Sequence, residues 1–168
     1  MASPESRGAR LVFLVTEDWY FWAHRLPQAR AARDAGFDVA VATRVNRHGD
    51  HIRGEGFTLH ELSWRRGSIN PFGALVAVME VARLYRRIRP DLVHHVSQKP
   101  ILIGSLAARL ARVKRMVNAF TGLGFVFAGD DLIARIIRAA LLPLLRLATA
   151  GARVRFLVEN PDDWTTLA

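Results

Sequence analysis

The chain has 168 residues, of which 51% are hydrophobic, so it is long and apolar enough for one domain with its own core and is not a disordered segment. It lacks cysteine, which excludes disulfides and thiolate metal sites and permits a reducing compartment. Its 24 lysines and arginines against 15 acidic residues leave a formal charge of +9, which suits an anionic partner. All the basic residues except Lys99 and Lys114 are arginine. Neither zinc-finger spacing nor an RNA-binding aromatic signature is present, so nucleic acid is not the expected partner. No apolar run approaches the roughly 18 residues of a spanning helix. The run LVFLV after Arg10 is shorter than a signal-peptide core of about 7–15 residues, so the expected location is cytoplasmic.

In chain order, Leu11–Thr16 reads as a buried first strand. It empties into Glu17–His24, a stretch expected to be a loop and crowded with Glu17, Asp18, Trp19, Tyr20, Phe21, Trp22 and His24. A helix follows over Pro27–Ala35, with proline near its first turn and Gly36 as its stop. Phe37–Thr43 is strand two, Arg47–Glu55 a short helix or turn, and Phe57–Leu62 strand three. Asn70-Pro71 opens a helix that runs to about Arg89, its last turn rich in arginine that complements the negative helix end, and Pro90 ends it. Leu92–Val96 is strand four, and Ser97 and Pro100 start a helix to about Arg112. Arg115–Phe120 is strand five, Thr121–Gly129 a glycine-bearing loop, Asp131–Ala150 a long apolar helix striped with arginine, and Arg153–Val158 strand six. Asn160-Pro161 looks like the start of a further helix.

Strands alternating with helices predict an α/β fold, a Rossmann-like doubly wound parallel sheet flanked by helices. With the usual strand order 3-2-1-4-5-6, the switch point lies between strands one and four, and ligands bind beyond the carboxyl ends there. Candidates for that cleft are Glu17, Asp18, Trp19, His24, Ser97 and Lys99. A lysine at a helix N-terminus adds charge to an already positive end, so Lys99 either meets an anion or is simply solvated. His24 is either a packing or capping residue or a base contacting a sugar hydroxyl. Neighbouring His94 and His95 point to opposite faces of strand four and cannot jointly grip a metal. His48 and His51 have helical spacing but no third ligand nearby, and no metal site is expected. Thr121, Gly122 and Gly124 are either a plain turn or a place where backbone amides approach an anion or a sugar hydroxyl. The dinucleotide fingerprint fails there, because Phe127 stands where its third glycine belongs.

The segments FWAHR, AARDAGFDVAVAT, RPDLVHHVSQKPILIGSLAARLA, VNAFTGLGFVF and VENPDD, in this order and spacing, resemble the N-terminal domain of bacterial family-four glycosyltransferases. These are retaining enzymes of the GT-B type with two facing Rossmann-like domains. The resemblance covers roughly Arg10 to Asp163. It implies sugar transfer from a nucleotide-sugar donor to a polyprenyl-phosphate-linked or saccharide acceptor, at or near the anionic inner face of the membrane. It casts residues 1–168 as the acceptor-side domain, with Thr121, Gly122 and Gly124 in the donor-facing loop and His24 and Lys99 at the cleft edge. Thr121 stands where many members have histidine, so the resemblance names no catalytic residue. Nothing in the sequence corresponds to the family's donor-binding domain with its E-x7-E motif, so the chain is expected to be inactive without a separate donor half. No cofactor and no metal are implied. The alternative is a non-enzymatic Rossmann-like module that docks on anionic membrane or on a partner protein.

Overall fold

A computed structural model describes residues 8–64, 71–121 and 143–158. The chain runs β1 (Arg10–Glu17), α1 (Asp18–His24), α2 (Leu26–Asp34), β2 (Asp38–Arg44), α3 (Gly49–Gly54) and β3 (Thr58–Glu61). It continues with α4 (Pro71–Ile88), β4 (Leu92–Val96), α5 (Gln98–Ala111), β5 (Arg115–Phe120) and β6 (Arg153–Val158). The strands form one six-stranded sheet in the order β3-β2-β1-β4-β5-β6, every pairing parallel. This is the doubly wound arrangement the alternation predicts, with its reversal between β1 and β4.

Parallel central strands are covered on both faces and read as near-continuous apolar runs. β1 shows why. Leu11, Phe13 and Val15 face the core shared with Phe21, Leu26, Ala29 and Ile52, from α1, α2 and α3. Val12 and Leu14 face the core shared with Val81, Tyr85, Ile103 and Ala107, from α4 and α5. The first three helices therefore cover one face and the next two the other.

The second core holds a polar chain. His95 is fully buried, its Nε2 lies 3.1 Å from the Tyr85 hydroxyl, and its Nδ1 lies 2.8 Å from Asn118 Oδ1. Asn118 Nδ2 donates to Ser105 Oγ at 3.3 Å. Because that amide points its nitrogen at Ser105, its oxygen accepts from His95 Nδ1–H, and Nε2 accepts from Tyr85. Burial drives the His95 pKa down to about 3, against the opposing bond to Asn118, and drives Tyr85 up. Gly104 makes room for this ring: a Cβ there would come within 2.5 Å of His95 Cδ2 and 2.7 Å of Leu14 Cδ2. His94 points the other way, as adjacent strand residues must, and its ring lies 4.9 Å from that of Phe13.

One sequence expectation is corrected. Glu17–His24 is not a loop: from Asp18 onward it winds into α1. No glycine or proline interrupts the segment, and Phe21 anchors it, fully buried with edge-on contacts to Phe13 and Phe57 at 5.9 and 6.2 Å. The next helix begins at once, at Leu26. Within the long helix expected over Asp131–Ala150, residues 143–149 are helical, and its earlier part lies outside the described residues. Gly122, Gly124 and Asn160-Pro161 lie outside them too.

Candidate functional site at the strand switch point

The strand order reverses between the neighbouring β1 and β4, and the carboxyl ends of these strands are where a doubly wound sheet receives its ligand. Glu17 closes β1 and is 5% exposed; Asp18 begins α1 and is fully buried. Asp18 Oδ1 accepts the Trp19 N–H at 2.7 Å, and Oδ2 accepts the N–H groups of Asn46 and His48 at 2.7 and 2.8 Å. Burial alone would raise this carboxyl pKa, but the backbone donors around it outweigh burial and hold it below the ordinary range. Its acceptor capacity goes to the backbone, and it ties the loop after β2 to the start of α1.

Glu17 Oε2 accepts Asn46 Nδ2 at 2.6 Å, and Oε1 lies 3.6 Å from Arg44 Nη1. Lys99, in the first turn of α5, approaches from the β4 side. Burial lowers its pKa, and the negative charge of Glu17 partly restores it. Its ammonium also stands 6.0 Å from the Trp64 ring centroid, at the outer limit of a cation–π contact. Trp64 Nε1 donates to the Thr16 carbonyl at 3.2 Å, which fixes the indole over the end of β1. Glu17 and Lys99 thus sense one another across the switch point, beside an aromatic wall.

Ser97 links β4 to β5. Its φ is 77°, uncommon for a residue with a side chain, and its N–H donates to Ala119 O at 2.9 Å. Its hydroxyl lies 2.9 Å from the Thr121 hydroxyl and makes no cap to α5. One of these two groups donates to the other, and the accepting hydroxyl keeps its own O–H, which could donate to a ligand hydroxyl or phosphate oxygen.

The other candidates spread out along α1. Trp19 is 39% exposed, its ring edge-on to Tyr20 at 5.6 Å. His24 is exposed at the far end of α1, against Tyr20 at 4.6 Å. A seven-residue helix rises on the order of 10 Å, so His24 stands that far along the axis from Glu17. The structure brings Glu17, Lys99, Ser97 and Thr121 to the ends of β1, β4 and β5. Sequence reasoning overlooked Trp64, Asn46 and Arg44. A tryptophan directly after a strand's carboxyl end was the available signal for Trp64; Arg44 and Asn46 gave none, because their role depends on β2 pairing with β1.

At the edge of the same end of the sheet, the first turns of α4 expose Phe72, Leu75 and Val76, at 73%, 58% and 48%. Their spacing puts them on one helical face. Among the described residues, no helix is long and apolar enough to cross a membrane, and no three or more His, Asp and Glu side chains are grouped to hold a metal ion.

A doubly wound sheet with a polar crevice at its switch point defines a Rossmann-like domain of the kind paired in GT-B transferases. The chain belongs to the glycosyl transferase 4-like family, whose pattern matches residues 10–153. It is 23% identical over 154 residues to the N,N'-diacetylbacillosaminyl-diphospho-undecaprenol alpha-1,3-N-acetylgalactosaminyltransferase of Campylobacter jejuni, a match covering 92% of this chain and 41% of that protein. The chain therefore spans about two fifths of this relative's length. Its fold is similar to that of a glycosyltransferase from Rickettsia africae, with TM-score 0.56 and 13% identity over 89% of this chain and 42% of that one. It is also similar to MurG from Acinetobacter baumannii, with TM-score 0.53 and 13% identity over 95% of this chain and 71% of that one.

Proposed function

We propose that this chain is the acceptor-side N-terminal half of a retaining glycosyltransferase that moves a sugar from a nucleotide-sugar to a lipid-linked or saccharide acceptor. The observation that carries the reading is the set of polar groups at the carboxyl ends of β1, β4 and β5: Lys99 in the field of Glu17, and the Ser97–Thr121 hydroxyl pair. In transfer, the bond from the anomeric carbon to the donor phosphate breaks and a new bond to an acceptor hydroxyl forms. The nucleotide diphosphate leaves, and the acceptor hydroxyl gives up its proton. Lys99 is suited to an acceptor phosphate, since its positive charge sits at a helix N-terminus in a partly desolvated site. Ser97 and Thr121 are suited to orienting acceptor hydroxyls. The nucleotide-sugar is held by a donor-binding domain facing this crevice, supplied in the same protein or by a separate chain. Without it the described half does not turn over.

The exposed Phe72, Leu75 and Val76 support a lipid-linked acceptor in particular. An apolar helix tip at the crevice's end of the sheet would rest in the lipid interface while the crevice receives the head group. On this reading the protein is cytoplasmic and peripheral on the inner face of the membrane. The test is transfer of labelled sugar from a panel of nucleotide-sugars to an undecaprenyl-diphosphate-linked monosaccharide, with the chain alone and with a donor-domain partner. Transfer is expected only with the partner and is expected to fall when Lys99 becomes methionine. A reconstituted pair that transfers equally well with Lys99→Met would remove the crevice from the reaction.

A further inference from the structure

The crevice leaves much of the positive charge unused. At the opposite, amino edge of the sheet, α4 and α5 end, β5 begins, and two adjoining hollows open. One, of about 400 Å³, is lined by Arg86, Arg89 and Arg112. The other, of about 450 Å³, is lined by Arg109, Arg112 and Lys114. They share Arg112 and Val113, and no carboxylate among the described residues lines either one. The hollows beside β3 differ, since they include Asp38, Glu61 and Glu80. Asp91, close in sequence to Arg89, accepts the Arg10 N–H at 2.8 Å. Arg86 and Arg109 donate to the carbonyls of Leu110 and Ala150 at 3.0 and 3.2 Å. Those bonds hold the guanidinium groups in place without neutralising them.

Cations at helix C-termini have an ordinary explanation, because each helix end carries about half a negative charge. Three helix ends, those of α4, α5 and the helix at 143–149, offset about one and a half positive charges, still well short of Arg86, Arg89, Arg109, Arg112 and Lys114 together. The dipole also leaves a second feature unexplained. Arg89 and Arg112 hold φ of 54° and 60° just past the ends of α4 and α5, a left-handed position where glycine is easier to accommodate. Both strained arginines line the same hollow.

We propose that the paired hollows form a binding site for a small phosphate-bearing anion, of which inorganic pyrophosphate is the simplest representative. Guanidinium forks match phosphate oxygens in pairs, and each hollow has the volume of a small-ligand site. Position favours a discrete anion over a lipid surface: the 18-residue α4 is on the order of 27 Å long and has these arginines at one end and the exposed Phe72 turn at the other. The site is independent of the transfer reaction, and its test needs no turnover.

The experiment is titration of the full 168-residue chain with pyrophosphate at fixed ionic strength, followed by calorimetry and thermal unfolding. Saturable binding with a rise in Tm of about 3 °C or more is expected. The variant Arg89→Gly/Arg112→Gly should unfold at a higher temperature than wild type without ligand, because strain is relieved, and should bind pyrophosphate at least tenfold more weakly. A stabilised variant that keeps wild-type binding would overturn the proposal, leaving strain with no ligand role. If the glycine variant does not fold, Arg112→Gln/Lys114→Gln, which removes the charge and keeps a polar side chain, must show the same loss of binding. An equal Tm rise with chloride at matched ionic strength would overturn the site as unspecific charge screening. Flotation with phosphatidylglycerol vesicles that depends on Arg89 and Arg112, together with absent pyrophosphate binding, would overturn it in favour of a membrane contact.

Discussion

The two edges of the sheet treat charge in opposite ways. At the carboxyl edge Asp18 is held by backbone amides, Glu17 by Asn46 and Arg44, and Lys99 lies within reach of Glu17's field. At the amino edge, between α4 and α5, cations gather with no carboxylate in the lining among the described residues. The carboxyl edge is preorganised, so a ligand there meets groups already fixed and partly desolvated. Among the described residues the amino edge is uncompensated, so an anion there would gain attraction they do not use. The lesson is that net charge says little about where a domain acts: in the described residues, the uncompensated excess lies away from the switch-point crevice.

Gly104→Ala should be the most damaging substitution, because the added methyl meets the His95 ring and Leu14 in a fully buried layer beneath the crevice. A loss of about 4 kcal/mol in chemical denaturation is expected, combining overpacking with a broken buried network. Asp18→Ala should follow at about 3 kcal/mol, since it strips the acceptor from three amides, one of them in the first turn of α1. If it proves neutral, the carboxyl edge is not held in the way described.

Acid sensitivity comes next. His95 and His94 are neutral in the fold, with burial lowering them to about 3 and about 4. Both would take up a proton near 6.5 in the unfolded chain. Their contribution is therefore present above pH 6.5 and is lost as pH falls toward 4, by up to about 1.4 kcal/mol per pH unit for each histidine. Urea midpoints measured between pH 7 and 4.5 check the slope, which His94→Gln should reduce. Lys99→Met should lower transfer by the reconstituted enzyme about tenfold, or ~1.4 kcal/mol, with little change in stability. The smallest effect has the opposite sign. Arg89→Gly and Arg112→Gly should each stabilise the fold by about 0.5–1 kcal/mol, because glycine enters the left-handed region freely.

Much of this was legible in the residues. Strands β4, β5 and β6 fall where their apolar runs place them, and the observed strand order is the usual one expected for such alternation. The switch point, and with it Lys99 and Ser97, was readable from the same alternation. α1 was misread because its aromatic and acidic density resembles a ligand loop, whereas Phe21 needs the core beneath it to justify a helix.

The alternation of elements and the family could be read from the residues, because hydrophobic periodicity and ordered motifs are local properties of the chain. Only the tertiary structure decided that Asp18 serves the backbone, that Ser97 bonds to Thr121 instead of capping α5, that Trp64 walls the crevice and that Arg86, Arg89, Arg109, Arg112 and Lys114 share one edge. The physical reason is separation. Asp18 and Asn46 lie 28 positions apart, Ser97 and Thr121 lie 24 apart, and Trp64 and Thr16 lie 48 apart, so no local pattern records what parallel pairing brings together.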